Sequence, residues 1–209
     1  MAHLCHCRGM TEPEPIARIR IRLNEIEPEI WRRIDVPLGL SLKGLHDAIQ
    51  AAMGWLDYHL FEFRIGDKLY GLPEPLEDGD RKVLHAKLLK LETLVARDIR
   101  RFDYVYDFGD DWQLTVEIEQ VVAGDPALKY PRYVDGARRA PPEDCGGPYG
   151  FADFVEALAD KRHPRHRELR RWYGGPFDPE SFDERSIRLR IGEIAKRRHA
   201  GKAAYARRR

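Results

Sequence analysis

The sequence predicts an α+β domain in which a mainly antiparallel β-sheet with hairpins packs against several helices. Three observations lead to this prediction. Apolar and polar residues alternate over several short segments, as they do in half-buried strands. Other segments space their apolar residues three and four apart, as amphipathic helices do. Most of the strand-like segments precede a group of C-terminal helices, and these end in a basic tail.

Length and charge predict one domain with two appendages. The 209 residues divide into a flexible leader over 1–15, a single domain over 16–195 and a basic tail over 196–209. The net charge is only +1, because the seven Lys or Arg residues of the tail offset a net acidic body. This balance argues against a wholly basic nucleic-acid clamp. The tail could contact phosphates, or it could be a solvated helix end that frays beyond His199.

The cysteines and the lack of long apolar runs predict a cytoplasmic protein with no membrane partner. No segment approaches the roughly 18 apolar residues of a transmembrane helix, and the N-terminal residues lack a signal-peptide core. Cys5, Cys7 and Cys145 are an odd number, which argues against a disulfide framework. The Cys5-His6-Cys7 stretch could hold a metal, but it has no second Cys/His pair nearby, so an unstructured terminus is favoured.

The first predicted strand, Ala17–Leu23, alternates apolar residues with Arg18, Arg20 and Arg22. Its arginine face could bind the phosphates of a nucleic acid, or it could pair with acidic residues on a neighbouring strand. A second strand is predicted over Ile30–Val36.

The first helix is predicted over Leu42–Met53, where Ser41 can serve as the N-cap and Gly54 as the stop. Its apolar residues form one stripe, and His46 is placed at the margin of that stripe.

A β-hairpin is predicted next, with strands over His59–Ile65 and Lys68–Tyr70 around a Gly66-Asp67 turn. A Pro-rich acidic loop follows over 72–80. The segment 84–101 has helical spacing but no clean cap, so its structure is left open.

The stretch Tyr104–Trp112 predicts a second β-hairpin, whose tight end carries Asp107, Asp110 and Asp111. The residues on either side alternate so that one face is apolar: Phe102, Tyr104, Tyr106, Trp112, Leu114, Val116 and Ile118. Gly109 is expected to supply the positive φ that a short turn needs.

A long irregular stretch is predicted over 124–150. Its centre, Pro141–Gly147, contains Glu143, Asp144 and Cys145. A loop of this length in a compact domain is usually either functional or disordered.

Three further helices are predicted in the C-terminal third. They begin near Phe151, Pro164 and Glu184, and the second ends at Gly174-Gly175.

Eight stretches together resemble a known family: Ile30–Arg33, Leu45–Gln50, Gly54-Trp55, His59–Phe63, Tyr104–Trp112, Pro141–Gly147, Trp172–Gly174 and Phe177–Glu180. They resemble the plasmid pRiA4b ORF-3-like family, also described as passenger proteins of IS1096-type insertion elements. The resemblance spans about 16–189. It implies an α+β domain of largely uncharacterised function, found on plasmids and mobile elements as well as in ordinary genomes.

Two departures from the family bear on what the resemblance implies for a site. Members often carry His where this chain has Leu114, and often Cys ahead of a later Gly, where the nearest residues here are Tyr133 and Gly136. If the family used that His or Cys to bind a metal, this chain would lack those ligands. Nothing in the sequence resembles the recombinase motifs that a resolvase would need.

The candidate catalytic residues are five carboxylates: Asp107, Asp110, Asp111, Glu143 and Asp144. If the hairpin end and the loop converge, such a cluster could bind Mg²⁺ or Ca²⁺, with Asp107, Asp110 and Asp111 as candidate metal ligands, or could share a proton. His46 and His59 could add nitrogen ligands or a general base. The alternative is turn chemistry, because Asp hydrogen-bonds readily to its own backbone.

The aromatic and sulfur side chains have two interpretations each. Tyr104, Tyr106 and Trp112 could be core residues or, if exposed beside arginines, could stack bases. Cys145 could be a nucleophile or a small buried residue.

Three functions are therefore open. The first is a non-enzymatic accessory module that binds a nucleic acid, through Arg18, Arg20, Arg22 and the 196–209 tail, or binds a protein partner. The second is a metal-assisted hydrolase, acting on phosphoesters, that uses the carboxylates. The third is a structural interaction domain whose acidic loop is only a connector. The choice depends on whether the hairpin end and the loop share one pocket beside a histidine.

Overall fold

The computed structural model describes residues 13–73 and 82–208. Its eight strands form one sheet: β1 Pro15–Leu23, β2 Trp31–Pro37, β3 Phe61–Ile65, β4 Lys68–Gly71, β5 Val83–His85, β6 Arg101–Tyr106, β7 Trp112–Ala123 and β8 Arg132–Ala137. The strand order across the sheet is β5-β4-β3-β6-β7-β1-β2-β8. Neighbouring strands are antiparallel except β4 and β5, which are parallel. The predicted α+β class with a mainly antiparallel sheet is confirmed.

Five helices pack with this sheet: α1 Leu42–Met53, α2 Leu91–Ala96, α3 Gly147–Ala159, α4 His166–Tyr173 and α5 Glu184–Ala206. Helix α1 contacts β2 and α5, α5 also contacts β8, and α3 contacts α4. Within the described ranges, none of the helices combines the length and the apolar character needed to cross a bilayer.

The hairpin of β6 and β7 lies in the middle of the sheet, and its predicted apolar face is confirmed. Tyr106 pairs with Trp112 across the two strands, and all three residues from Tyr104 to Tyr106 are buried. The turn itself differs from the prediction. The positive φ angles belong to Asp107 (57°) and Asp111 (51°), and not to Gly109. Asp tolerates this conformation because its short side chain can hydrogen-bond to the nearby backbone.

Helix α1 has the predicted bounds and caps. The Ser41 side chain accepts a hydrogen bond from the Gly44 N–H, and Gly54 ends the helix with a φ of 87°. His46 was predicted to lie at the margin of the apolar stripe, but it is fully buried. The reason is its spacing, because it lies four residues after Leu42 and three before Ile49, and both of these are core residues.

Two segments that were predicted as ambiguous or irregular contain regular structure. The segment 84–101 holds the end of β5, the short helix α2 and the start of β6. The stretch 124–150, predicted to be irregular, contains β8, which extends the sheet by pairing with β2, as in the pair Ile34 and Tyr133. Strand β3 begins at Phe61, two residues later than predicted.

The basic tail was predicted to fray beyond His199. In the structure it does not, because α5 continues to Ala206. Ion pairs hold this end of the helix to the start of the sheet: the Glu14 carboxylate accepts hydrogen bonds from Arg198 and Lys202. Cys5-His6-Cys7 and most of the predicted acidic loop over 72–80 lie outside the described residues.

Candidate metal centre

The hairpin end and the Pro141–Gly147 loop meet in the fold. The Asp110 carboxylate accepts a hydrogen bond from the Gly146 N–H at 3.1 Å, across 36 residues of chain. Gly147 has a φ of 68°, and a Cβ at this position would lie only 2.4 Å from the Asp110 carbonyl oxygen. The close contact of the two segments therefore depends on glycine at this position.

His59 is surrounded by three carboxylates at this junction. Its Nε2 atom lies 3.0 Å from Asp144 Oδ1, 3.5 Å from Asp107 Oδ2 and 3.9 Å from Glu143 Oε2. We call these four residues the His59 cluster. They come from three segments: the residue pair before β3, the hairpin end and the loop. Nε2 is inaccessible to solvent and has no hydrogen-bond partner in the described part of the chain.

Asp107 serves both the turn and the cluster. Its Oδ1 accepts hydrogen bonds from the N–H groups of Gly109 and Asp110, at 3.0 and 3.3 Å, which is the expected turn chemistry. Its Oδ2 faces His59 instead. The Asp107 side chain is only 10% exposed whereas that of Asp144 is 65% exposed. The cluster is thus buried on the hairpin side and open to solvent on the loop side.

Glu143 is held in place by two donors. Its Oε1 accepts a hydrogen bond from the Leu56 N–H at 2.6 Å and another from the Tyr106 hydroxyl at 3.1 Å. That hydroxyl accepts in turn from the Tyr58 N–H. Burial, together with the negative charge of Glu143, raises the pKa of Tyr106, so the phenol keeps its proton as a donor. These bonds fix the orientation of the Glu143 carboxylate beside His59.

The two separations measured from His59 Nε2 are compatible with a shared cation. One donor atom each from His59, Asp107 and Asp144 lie within 4.8 Å of one another. Two ligands that are each about 2.1 Å from a shared cation lie roughly 3.0 Å apart at right angles and roughly 3.4 Å apart at the tetrahedral angle. The observed separations from His59 Nε2, 3.0 and 3.5 Å, fall at these values.

Two of the predicted metal ligands lie outside this set of donors. The Oδ2 atom of Asp110 is occupied by the Gly146 N–H, and Oδ2 of Asp111 accepts a hydrogen bond from Gln113 Nε2 at 2.8 Å. Both residues shape the hairpin end and its contact with the loop.

His46 belongs to a separate buried network. Its Nε2 is 2.8 Å from Asp57 Oδ1, and its Nδ1 is 2.8 Å from the Tyr104 hydroxyl. That hydroxyl accepts a further hydrogen bond from Gln50. Burial above all, with the nearby Lys43, lowers the pKa of His46 to about 3, so the ring is neutral. A neutral ring donates from Nε2 to Asp57 and accepts from Tyr104 at Nδ1, which satisfies both nitrogens.

His46, Asp47 and Asp57 also lie close enough to hold an ion by distance alone. Because both His46 nitrogens are already hydrogen-bonded, this second group is a structural network. Asp57 and Gln50 were not among the candidates from the sequence. Gln50 lies four residues after His46, so helical spacing places the two on one face of α1.

The three aromatic candidates are buried, and Cys145 is partly buried. Tyr104, Tyr106 and Trp112 are each at most 1% exposed, as core residues are, and offer no surface on which a base could stack. Burial, followed by the charge of Asp110, raises the pKa of Cys145 to about 12. At neutral pH its thiol is therefore protonated and a poor nucleophile.

Fold and site together define a class: an α+β protein with a histidine and carboxylate cluster at one end of a central hairpin. The sequence profile of the family described as "Plasmid pRiA4b ORF-3-like protein" matches residues 15–186. The chain belongs to this family.

Two relatives are similar over most of their length. "Uncharacterized protein y4hQ" of Sinorhizobium fredii is 39% identical over 183 residues, which are 86% of this chain and 92% of that protein. The crystal structure of a "Protein of Unknown Function MM3350" from Methanosarcina mazei Go1 is 35% identical, with a TM-score of 0.74. It covers 82% of this chain and 97% of its own. The names of these two proteins assign no activity to them.

Proposed function

We propose that the chain binds a divalent cation at the His59 cluster and uses it in hydrolysis. One observation supports this proposal above the others. His59 Nε2 is buried without a hydrogen-bond partner in residues 13–73 and 82–208, yet it faces carboxylate oxygens of Asp144 and Asp107 at 3.0 and 3.5 Å. A buried polar atom left without a partner is costly, and a shared cation would satisfy it together with both carboxylates.

The donor set narrows the choice of metal. One imidazole nitrogen with two carboxylate oxygens suits Mn²⁺, Zn²⁺ or Fe²⁺ better than Ca²⁺ or Mg²⁺, which prefer all-oxygen sites. Three protein ligands with an exposed side at Asp144 are typical of catalytic metal sites, where a position stays open. A bound cation lowers the pKa of a coordinated water, which is the nucleophile of metal-assisted hydrolysis. We propose phosphoesters as the substrate class. We also propose that the protein acts in the cytoplasm, because the free thiol of Cys145 suits a reducing compartment.

Calorimetric titration of the EDTA-treated chain with Mn²⁺ and with Zn²⁺ tests the site. We expect one cation per chain. His59→Ala, Asp107→Asn and Asp144→Asn should each weaken binding by about 10- to 100-fold, because each removes one ligand. Asn at 107 retains an oxygen that can accept the Gly109 N–H, so the turn is kept.

Asp111→Asn is the matched control for these variants. It changes the same charge on the same hairpin end, but Asp111 lies outside the cluster and should leave the affinity unchanged. The same set of variants, assayed for Mn²⁺-dependent cleavage of p-nitrophenyl phosphate, should lose activity in the order in which they lose the metal. Equal affinities for the control and the three ligand variants would refute the site, as would a wild-type chain that binds neither ion.

We propose nucleic-acid binding by the basic tail as a second, independent function. Arg197 in helix α5, and Arg207 and Arg208 just after its end, are exposed cations, and in the described part of the chain none of the three is in an ion pair. The arginine row of β1 is less suited to this role. Arg18 forms a bidentate pair with Asp35, at 2.8 and 3.0 Å, and Arg20 pairs with Glu29. The mobile-element setting implied by the family's description is consistent with such a function.

Fluorescence anisotropy with a labelled DNA duplex at about 50 and 200 mM NaCl tests this function. Replacing Arg197, Arg207 and Arg208 by Gln should weaken binding and should lower the salt slope by about one for each lost phosphate contact. Binding that is unchanged in this variant, or absent from the wild type at low salt, would exclude the tail as a nucleic-acid contact.

A further inference from the structure

A cleft adjoins the His59 cluster, and Glu143 belongs to both. It has a volume of about 510 Å³ and is formed by the end of α1, the start of the Pro141–Gly147 loop, the segment after α4 and the first turns of α5. Three arginines, Arg32, Arg139 and Arg190, line it together with the rings of Phe177 and Phe182. A volume of this size is that of a typical small-molecule site.

The three guanidinium groups are bonded to uncharged acceptors. Arg32 donates to the backbone carbonyls of Ala52, Trp31, Ala137 and Arg138, at 2.8 to 3.0 Å. Arg139 donates from Nε to the Ser181 carbonyl and from Nη1 to the Tyr173 hydroxyl. Arg190 donates from Nη2 to the Trp55 carbonyl. In the residues that the structure describes, none of the three forms an ion pair with a carboxylate.

Arg139 and Arg190 retain donors for a ligand. Nη2 of Arg139 and both Nε and Nη1 of Arg190 have no acceptor in the described ranges. Both side chains are half-buried. Two carboxylates also lie on the cleft wall, against three arginines: Asp183, which caps the Ser186 N–H, and Glu143, which accepts from the Leu56 N–H and attracts the charge of Arg190. The cleft therefore combines positive charge with donors that are unused.

Aromatic rings form the wall next to these cations. The Arg32 guanidinium lies 4.2 Å from the centre of the Phe182 ring, and that of Arg139 lies 5.3 Å from the centre of the Phe177 ring. These contacts place the guanidinium groups over flat apolar surfaces. A ligand with a flat apolar body could pack against the same rings while its charged end reaches the free N–H donors.

We infer that this cleft binds a small organic anion, with a carboxylate or phosphate group on an aromatic or similarly flat body. The oxyanion would accept hydrogen bonds from Arg139 and Arg190, whose planar groups match such oxygens in a bidentate way. The apolar body would lie against Phe177 and Phe182. Arg32 contributes mainly positive charge, because four of its five N–H donors are already bonded to the four carbonyls. This binding goes beyond the proposed hydrolysis and needs no metal.

Calorimetric titration of the full chain in EDTA tests this inference with three anions: phenyl phosphate, benzoate and inorganic phosphate. Phenyl phosphate or benzoate should bind at one site more tightly than inorganic phosphate, and the tighter of the two identifies the preferred oxyanion. Arg139→Gln and Arg190→Gln should each weaken that binding by about tenfold, which is typical for the loss of one charge-assisted contact.

Arg185→Gln is the matched control, since Arg185 is an exposed residue of the same helix as Arg190 and lies outside the cleft. It should bind like the wild type, and unchanged melting temperatures would show that all three variants are folded. The inference is overturned if neither aromatic anion binds, if inorganic phosphate binds as tightly as both, or if Arg185→Gln weakens binding as much as Arg190→Gln. Because EDTA removes metals, failure of the cation site leaves this result unaffected.

Discussion

Replacing Arg32 by Met is expected to lower the free energy of unfolding by about 3–5 kcal/mol, because each buried carbonyl oxygen that loses its donor costs roughly 1–3 kcal/mol. Arg32 is only 1% exposed. Three of its four hydrogen bonds join β2 to the end of α1 and to the end of β8, and the fourth goes to the carbonyl of Trp31 in β2 itself. Met fills a similar volume but donates nothing, so four carbonyl groups would lose their donor.

The chemistry of Arg32 explains why it is arginine and not lysine. Burial lowers the pKa of its guanidinium to about 10, yet the group stays charged at neutral pH. Only a guanidinium presents donors in a fixed plane to several carbonyls at once, whereas the ammonium group of lysine is a compact point charge. Arg32→Lys should therefore recover only part of the stability.

Chemical denaturation of the wild type, Arg32→Met and Arg32→Lys measures the loss of stability, and Arg33→Met is the control. Arg33 is the next residue but points outward, where it pairs with Glu119 at 2.7 Å. A pair that is this exposed contributes at most about 1 kcal/mol. If Arg32→Met and Arg33→Met unfolded at the same denaturant concentration, the bridging role of Arg32 would be excluded.

The burial of Arg32 agrees with the alternation of residues in its strand. In β2, Arg32 alternates with Ile34 and Val36, and all three are buried. A period of two therefore places this arginine on the core face. The same holds for His46, whose helical spacing from Leu42 and Ile49 places it in the core. In both cases the spacing of the neighbouring apolar residues indicates a core position, although the side chain itself is polar.

Local patterns were sufficient for most strands and helices, because these depend on alternation and caps within a few residues. They were insufficient for β8. That strand has few apolar residues and is stabilised by pairing with β2, about a hundred residues earlier in the chain. Its existence depends on tertiary pairing, which overrides weak local propensity.

The candidate site was predictable in part for the same reason. The acidic character of the hairpin end and of the loop can be read locally, and the contact between Asp110 and Gly146 brings them together. Which oxygens face His59 depends on the turn. Asp107 takes a positive φ and uses Oδ1 for the backbone, which leaves Oδ2 for the cluster. Sequence spacing carries no information about this division between the two oxygens.

The buried His46 should make the protein sensitive to acid. Its folded-state pKa is about 3, against 6.5 for an ordinary histidine, so below pH 6.5 the unfolded chain binds a proton that the folded chain does not. The stability contributed by the neutral ring is therefore fully present above pH 6.5 and is lost as the pH falls toward 3. Between pH 7 and pH 5 this loss should amount to about 2 kcal/mol.

The physical cause of this sensitivity is the network around the ring. A proton on Nδ1 would displace the hydrogen bond that Tyr104 donates, and it would place a charge between the buried Phe61 ring and Tyr104. Lys43 opposes that charge, and Asp47 only partly offsets it. Burial dominates because the imidazole has no exposed surface.

Urea denaturation between pH 7 and pH 5 measures the slope of stability against pH. His46→Gln keeps an acceptor for Tyr104 and a donor for Asp57 but cannot titrate, so its stability should fall about 2 kcal/mol less than that of the wild type over this range. His199→Gln, at an exposed position, should follow the wild type. Comparing slopes removes the constant cost of the substitution itself. If His46→Gln and the wild type lost the same free energy on acidification, the neutral buried ring would not be the source of the acid sensitivity.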